Sequence, residues 1–219
     1  AVFSDEVAMI AAGPIGTYID IEKQMTIVAA KSGATAAELA QVAGAARSLG
    51  ATTQFSASQA AQGFDAMASA GYSVSDQLKA MPAILELAAA GFTDIETAAT
   101  LNTDVLGAFQ LGIEETAGVT NKLVGASNTT KQSIDTLVSS LKNVAPVAAA
   151  AGASVEDVLG LQGALAAAGI RGSNADTVSR ALYSRIQAPD PSARKRLKSL
   201  NVKTNDDNGN PRDLGAILA

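Results

Sequence analysis

The sequence predicts an all-α fold of Ala/Gly-rich helical hairpins, about 8–10 helices, with a small β-hairpin-like turn near residues 202–213. Three observations carry that prediction. Apolar residues recur at helical spacing along most of the chain. Nothing alternates with period two for more than a few residues. One stop-and-start device recurs between the helical stretches.

That device reads G-x-[ST]-x-x-[DE]. It occurs at Gly33/Thr35/Glu38, Gly71/Ser73/Asp76, Gly91/Thr93/Glu96 and Gly152/Ser154/Asp157. Glycine takes the left-handed conformation that ends a helix. Two residues on, a hydroxyl accepts from the free N–H groups of the next helix. Three further on, an acid reaches back to the cap and suits the positive helix end. The expected caps are therefore Thr35, Ser73, Thr93 and Ser154. Ser56 with Gln59 is a fifth, and Ser173 with Asp176 a sixth.

Taken in order, residues 1–16 read as a helical lead-in, and residues 17–112 as a first set of helical hairpins. Its stripes are Leu39, Val42, Ala46 and Leu49; Ala57, Ala60, Phe64 and Met67; and Ile95, Ala98, Val105 and Phe109. Residues 113–188 read as a second set, with the stripe Ile134, Leu137, Leu141, Val144 and Ala148. Pro82 and Pro146 fall inside helical patterns and are expected to kink or restart them. Pairing the turns at Gly71 and Gly91 with those at Gly152 and Gly169 suggests a duplication offset by 81 and 78 residues. Residues 189–219 read as a basic helix, a turn rich in Asn, Asp, Gly and Pro, and the start of another helix. With no initial Met and a last stretch still helical in pattern, the sequence reads as part of a longer chain.

Composition excludes much chemistry. The chain has 219 residues, 47 % of them apolar, but aromatics are only 4 % and Cys and His are absent. Without imidazole or thiol there is no His base, no Cys nucleophile and no His or Cys metal ligand. Small side chains bury little area each, so modest stability is expected. The longest charge-free apolar stretches, Val7–Ile19, Asn143–Val155 and Val158–Ile170, have 13 residues each, too short for a bilayer. The net charge of −5 divides into −9 over residues 1–170 and +4 over 171–219. Arg194, Lys195 and Arg196 read first as a solvated helix face. DNA contact is not expected, since only Tyr183 in this region offers a ring to stack on a base.

Each candidate site has a plainer explanation. An EF-hand on Thr204, Asp206 and Asn208 would need a Glu where Gly215 stands. Two S-x-x-K strings, at Ser139 and Ser192, lack the companion motifs of serine acyl-transfer enzymes. Glu114 and Glu115 are helix neighbours that point apart, and they favour a helix start after Gly112. The stretch "AAAGIRGSNADTVSRAL" at 166–182 offers a helix N-terminus beside Arg171. It also reads as the stop-and-start device with Arg171-Gly172 inserted. Asp176 in that first turn would repel an anion, which favours the turn. No catalytic, cofactor or metal residue is assigned. Arg171, Arg180, Arg185, Arg194, Lys195 and Arg196 are the candidates for contact with an acidic partner.

"LGATTQFSASQAAQGFDAMASAGYS", "NVAPVAAAAGASVEDVLG", "LAAAGIRGSNADT" and "LKSLNVKTNDDNGNPRDL" together resemble, in order and spacing, the core region of tail tape-measure proteins of tailed bacteriophages and prophages. The resemblance runs from about Thr17 to the end. It implies a long helical structural protein, not an enzyme, that sets tail length and scaffolds tube assembly. Such a protein occupies the tube lumen or tail tip of the virion until genome ejection, often as a trimer. The implied partners are the tail tube protein, distal tail or baseplate hub proteins and tail assembly chaperones. No small-molecule substrate is implied, and membrane contact would come only through other parts of the chain. The competing class is an Ala-rich helical interaction module of a surface or secreted protein, but the sustained heptads it would favour are missing.

Overall fold

A computed structural model describes residues 14–200, 202–204 and 212, with side chains from Glu22 onward. Among the described residues the fold is all-α. Ten α-helices follow one another: α1 (Pro14–Ser32), α2 (Ala36–Thr52), α3 (Ala57–Ser69), α4 (Val74–Gly91), α5 (Ile95–Phe109), α6 (Thr116–Thr130), α7 (Ile134–Ala150), α8 (Val155–Ala167), α9 (Ser173–Gln187) and α10 (Pro191–Ser199). A single 3₁₀ turn, Ile113–Glu115, starts at Gly112 and leads into α6. Pro82 and Pro146 lie within continuous helices, α4 and α7, and restart neither. No described residue is in a strand. Most of the expected hairpin at 202–213 lies outside the described residues. At its base, the Arg212 N–H donates to the Thr204 carbonyl at 2.8 Å.

The chain divides into two compact units, one up to Thr103 and one from Asp104. In the first, α3 packs on α1, α2 and α4, while α2 also meets α1 and α4. Val42, Ala46, Ala60, Phe64, Met67, Met81, Ile84 and Leu87 form its core. A Cβ on Gly63 would collide with the Ile95 side chain, so that glycine admits α5. Lys31 Nζ closes the α1–α3 edge on Asp65 Oδ1 at 2.6 Å. In the second unit, α8 packs on α6, α7 and α9, while α7 also meets α6 and α9. Leu123, Leu137, Leu141, Val144, Val158 and Tyr183 are fully or almost fully buried there.

The two units therefore repeat one plan, pair for pair. The caps Thr35 and Ser133, and Ser56 and Ser154, each stand 98 residues apart. So do the left-handed residues Gly33 and Lys131, and Gly71 and Gly169. Buried positions match at the same spacing: Met25 with Leu123, Ala43 with Leu141, Ala46 with Val144, Ala60 with Val158, and Phe64 with Gln162. At the end of each set, Asp94 and Asp190 cap α5 and α10. This corrects the offset read from sequence, which paired Gly71 with Gly152. Glycine is a poor index of register here, because Lys131 holds the left-handed station that Gly33 holds in the first set.

Candidate partner-contact surfaces

The caps are local chemistry. Thr35, Ser56 and Ser154 each form a complete capping box with Glu38, Gln59 and Asp157. Ser73 accepts from the Asp76 N–H at 3.3 Å. At Glu38 the Thr35 N–H and hydroxyl hold the carboxyl below its ordinary range. Two expected caps are replaced. Thr93 is not the cap of α5. Gly91 stays helical, Phe92 takes the left-handed turn with φ 52° and ψ 39°, and the frame slips by one residue. Asp94 then accepts from the Thr97 N–H at 2.7 Å, which lowers its pKa. Ser173 is the first residue of α9, whose cap Gly172 has no side chain to offer. Ser133 and Asp190 cap α7 and α10 without a preceding glycine, so the glycine-led device missed them. Asp190 did carry a signal, since Pro191 follows it at the first helical position.

The Arg171-Gly172 insertion changes where Asp176 points. In the first unit Asp76 is part-exposed and accepts from its own cap, Ser73, at 2.6 Å. Asp176 is buried instead, only 4 % exposed. Its Oδ2 accepts from Asn143 Nδ2 on α7 at 2.8 Å, and its Oδ1 from Gln162 Nε2 on α8 at 3.4 Å. Gln162 Nε2 also reaches the Ser179 hydroxyl of α9 at 3.3 Å. One carboxylate thus ties α9 to both helices beneath it. It fills the space behind the helix N-terminus with negative charge, where an anion cradle needs the opposite.

The six candidate contact cations are all exposed. Arg171 lies in the α8–α9 turn. Arg180 and Arg185, five residues apart on α9, sit on opposite flanks of its outer side. Arg194, Lys195 and Arg196 lie on α10, which buries none of its residues. Arg194 and Lys198 line one cleft with Lys203, alongside Pro189, Leu197 and Val202. Asp190 accepts from the Ser192 hydroxyl at 2.6 Å and from the Ala193 N–H at 2.9 Å, and these bonds hold its pKa down. Its charge is thus engaged at the helix start; beyond it Arg194 Nη2 donates to the Pro189 carbonyl at 3.4 Å, and Lys195 and Arg196 are exposed.

Catalytic geometry is not assembled at the sequence motifs. Lys142 of the first S-x-x-K string pairs with Asp104 at 2.7 Å, and Ser192 of the second serves the α10 cap. Among the described residues no cluster of three or more acidic groups could hold a metal ion. No described helix is long and apolar enough to cross a membrane. Thr204 of the tested calcium loop is described, but Asp206 and Asn208 lie outside the described residues.

With that geometry in place, comparison with known proteins decides the family. A model of the phage-related minor tail protein family matches residues 43–219. The chain belongs to that family. The chain is similar to the tape measure protein of Pneumococcus phage Dp-1, 38 % identical over 209 residues, covering 95 % of the chain and 18 % of the relative. It is also similar to the probable tape measure protein of Escherichia phage P2, 39 % identical over 197 residues, covering 90 % of the chain and 24 % of the relative. The chain thus spans less than a quarter of the length of either relative. No solved structure matches it.

Proposed function

We propose that this chain is a compact helical segment of a tape measure protein, a non-enzymatic structural component of a phage tail. The observation that carries the reading is 38 % identity to a tape measure protein along 95 % of the chain. In this reading the parent protein sets tail length and scaffolds tube assembly. It occupies the tube lumen or tail tip until ejection, associates with itself as a trimer, and meets tube, hub and chaperone proteins. Arg171, Arg180, Arg185 and the α10 cations are its proposed contacts with acidic partner surfaces.

The fold adds a constraint on how the segment measures length. As one continuous helix, 219 residues would span roughly 330 Å. Here the longest described helix has 19 residues, and short turns fold the helices back on their neighbours. The segment therefore contributes far less length per residue than an extended ruler. Deleting it in frame from the parent protein and measuring tails by electron microscopy tests this. The expected shortening is well below ~1.5 Å per deleted residue. Shortening by that full increment would overturn the compact-segment reading.

A further inference from the structure

We propose that two surfaces of this chain are the complementary halves of one contact between copies: the acidic α4–α5 corner that carries Phe92 docks into the basic cleft beside α10 of a second copy. The inference gives the self-association of the proposed function a pair of surfaces, and it rests on that part of the reading.

The repeat plan identifies the first half. α10 holds the station in its set that α5 holds in the first, each starting after an Asp cap. Where α5 buries Ala98, Ala99 and Asn102, α10 carries Arg194, Lys195 and Lys198, and it buries nothing. An inward-packing helix has become an outward, cationic one. Its cleft sets the charges of Arg194 and Lys198 beside the apolar surfaces of Pro189, Leu197 and Val202. Leu200, 71 % exposed, continues the apolar strip.

The second half shows the opposite chemistry. Phe92 is 99 % exposed and sits in left-handed backbone at φ 52°. That conformation strains any residue with a Cβ, and an aromatic ring in water forgoes its burial. Gly91 stands one position earlier and would relieve the strain if the helix ended there. Entry of the ring into a partner's cleft removes the second penalty, while the backbone strain, shared with Gln110 and Lys131, stays. Glu86 on α4 and Glu96 on α5 are exposed on the flanking helices. No Lys or Arg occurs between Lys79 and Lys122, and the only acid between Asp176 and Lys198 is the cap Asp190. An acidic corner with an apolar knob thus meets a basic cleft with an apolar lining. Because the halves differ, the contact is heterologous and builds rings or head-to-tail rows of copies.

Sedimentation velocity of the 219-residue chain across concentration and salt tests this. The wild type is expected to self-associate, less so at high salt. Phe92→Gly should weaken association at least tenfold without lowering the thermal midpoint, since glycine suits the turn. Glu86→Lys/Glu96→Lys and Arg194→Glu/Lys198→Glu should each abolish association, and mixing the two variants should restore it. The proposal is overturned if the wild type stays monomeric up to about 1 mM at low salt, the weak end of specific affinity. A contact made within one chain gives that same concentration-independent result. Association that ignores the substitutions, or variants that stay apart when mixed, also overturns it.

Discussion

Replacing Asp176 with Ala should loosen the second unit while leaving the first untouched. The carboxylate accepts from Asn143 at 2.8 Å and from Gln162 at 3.4 Å, and it is 4 % exposed. Truncation removes one bond from Asn143, whose exposed amide can turn to water, and one from Gln162, which keeps its bond to the Ser179 hydroxyl. A hydrogen bond to a charged group contributes about 1.5–3 kcal/mol, and the longer of the two belongs well below that. Relief from burying a carboxylate returns part of the loss. A net loss of about 1–2 kcal/mol results, against the roughly 5–15 kcal/mol that holds a domain. For a unit of this size it corresponds to a fall in midpoint of roughly 5 °C. Asp176→Asn keeps the shape and one acceptor oxygen, so it should cost about half as much. Hydrogen exchange resolved by peptide is the assay. Amides of α7, α8 and α9 should exchange faster, and those of α1 to α4 should not. If α7–α9 protection changes by less than about 0.5 kcal/mol, as for an ordinary surface substitution, then the polar tie does not hold α9. The apolar contacts of Tyr183 and Ala175 would have to hold it instead.

Cap substitutions should follow the observed frame. Thr35→Ala and Asp94→Ala should each cost about 1 kcal/mol in chemical denaturation, whereas Thr93→Ala should stay within a few tenths; equal losses at Thr93 and Asp94 would refute the one-residue slip. Glycines divide by the space around them. A Cβ at Gly50 would press on the Ala57 backbone, so Gly50→Ala should destabilise by about 2 kcal/mol. Gly44, in α2 with open space, should gain up to about 1 kcal/mol as Ala, read as a raised thermal midpoint. Stability should also fall in acid. Folding lowers the pKa values of Glu38, Asp94 and Asp190. Their contribution is therefore complete above the ordinary carboxylate range and is lost as pH drops through the folded values. The loss of stability from about pH 5 to 3 should be shallower in Glu38→Gln than in the wild type; an unchanged slope would count against the capping box.

Helix class was legible because the signals are local. Hydroxyl caps such as Thr35, Ser56, Ser73 and Ser154 act within one turn, on N–H groups three residues away. The stripes at Val42, Ala46, Phe64 and Leu141 repeat with the helix itself. Where a turn admits two frames, local reading slipped. At Gly91-Phe92-Thr93-Asp94, both Thr93 and Asp94 are competent caps, and the packing of Ile95 against α3 accompanies the later one.

The sequence by itself determined the helix class, the helix starts at Thr35, Ser56, Ser73 and Ser154, which faces are apolar, and that no His or Cys chemistry is present. Only the tertiary structure decided the 98-residue repeat, the inward turn of Asp176 and the outward face of α10. The repeat survives as matched burial and matched helix pairs, and these depend on volume at a position rather than on residue identity. Phe64 and Gln162 share a station, as do Met25 and Leu123. Asp76 and Asp176 carry the same side chain near the start of α4 and α9, and a two-residue insertion sends one to its own cap and the other to two neighbouring helices. That choice rests on donors more than ten residues away in the chain, which no local spacing records.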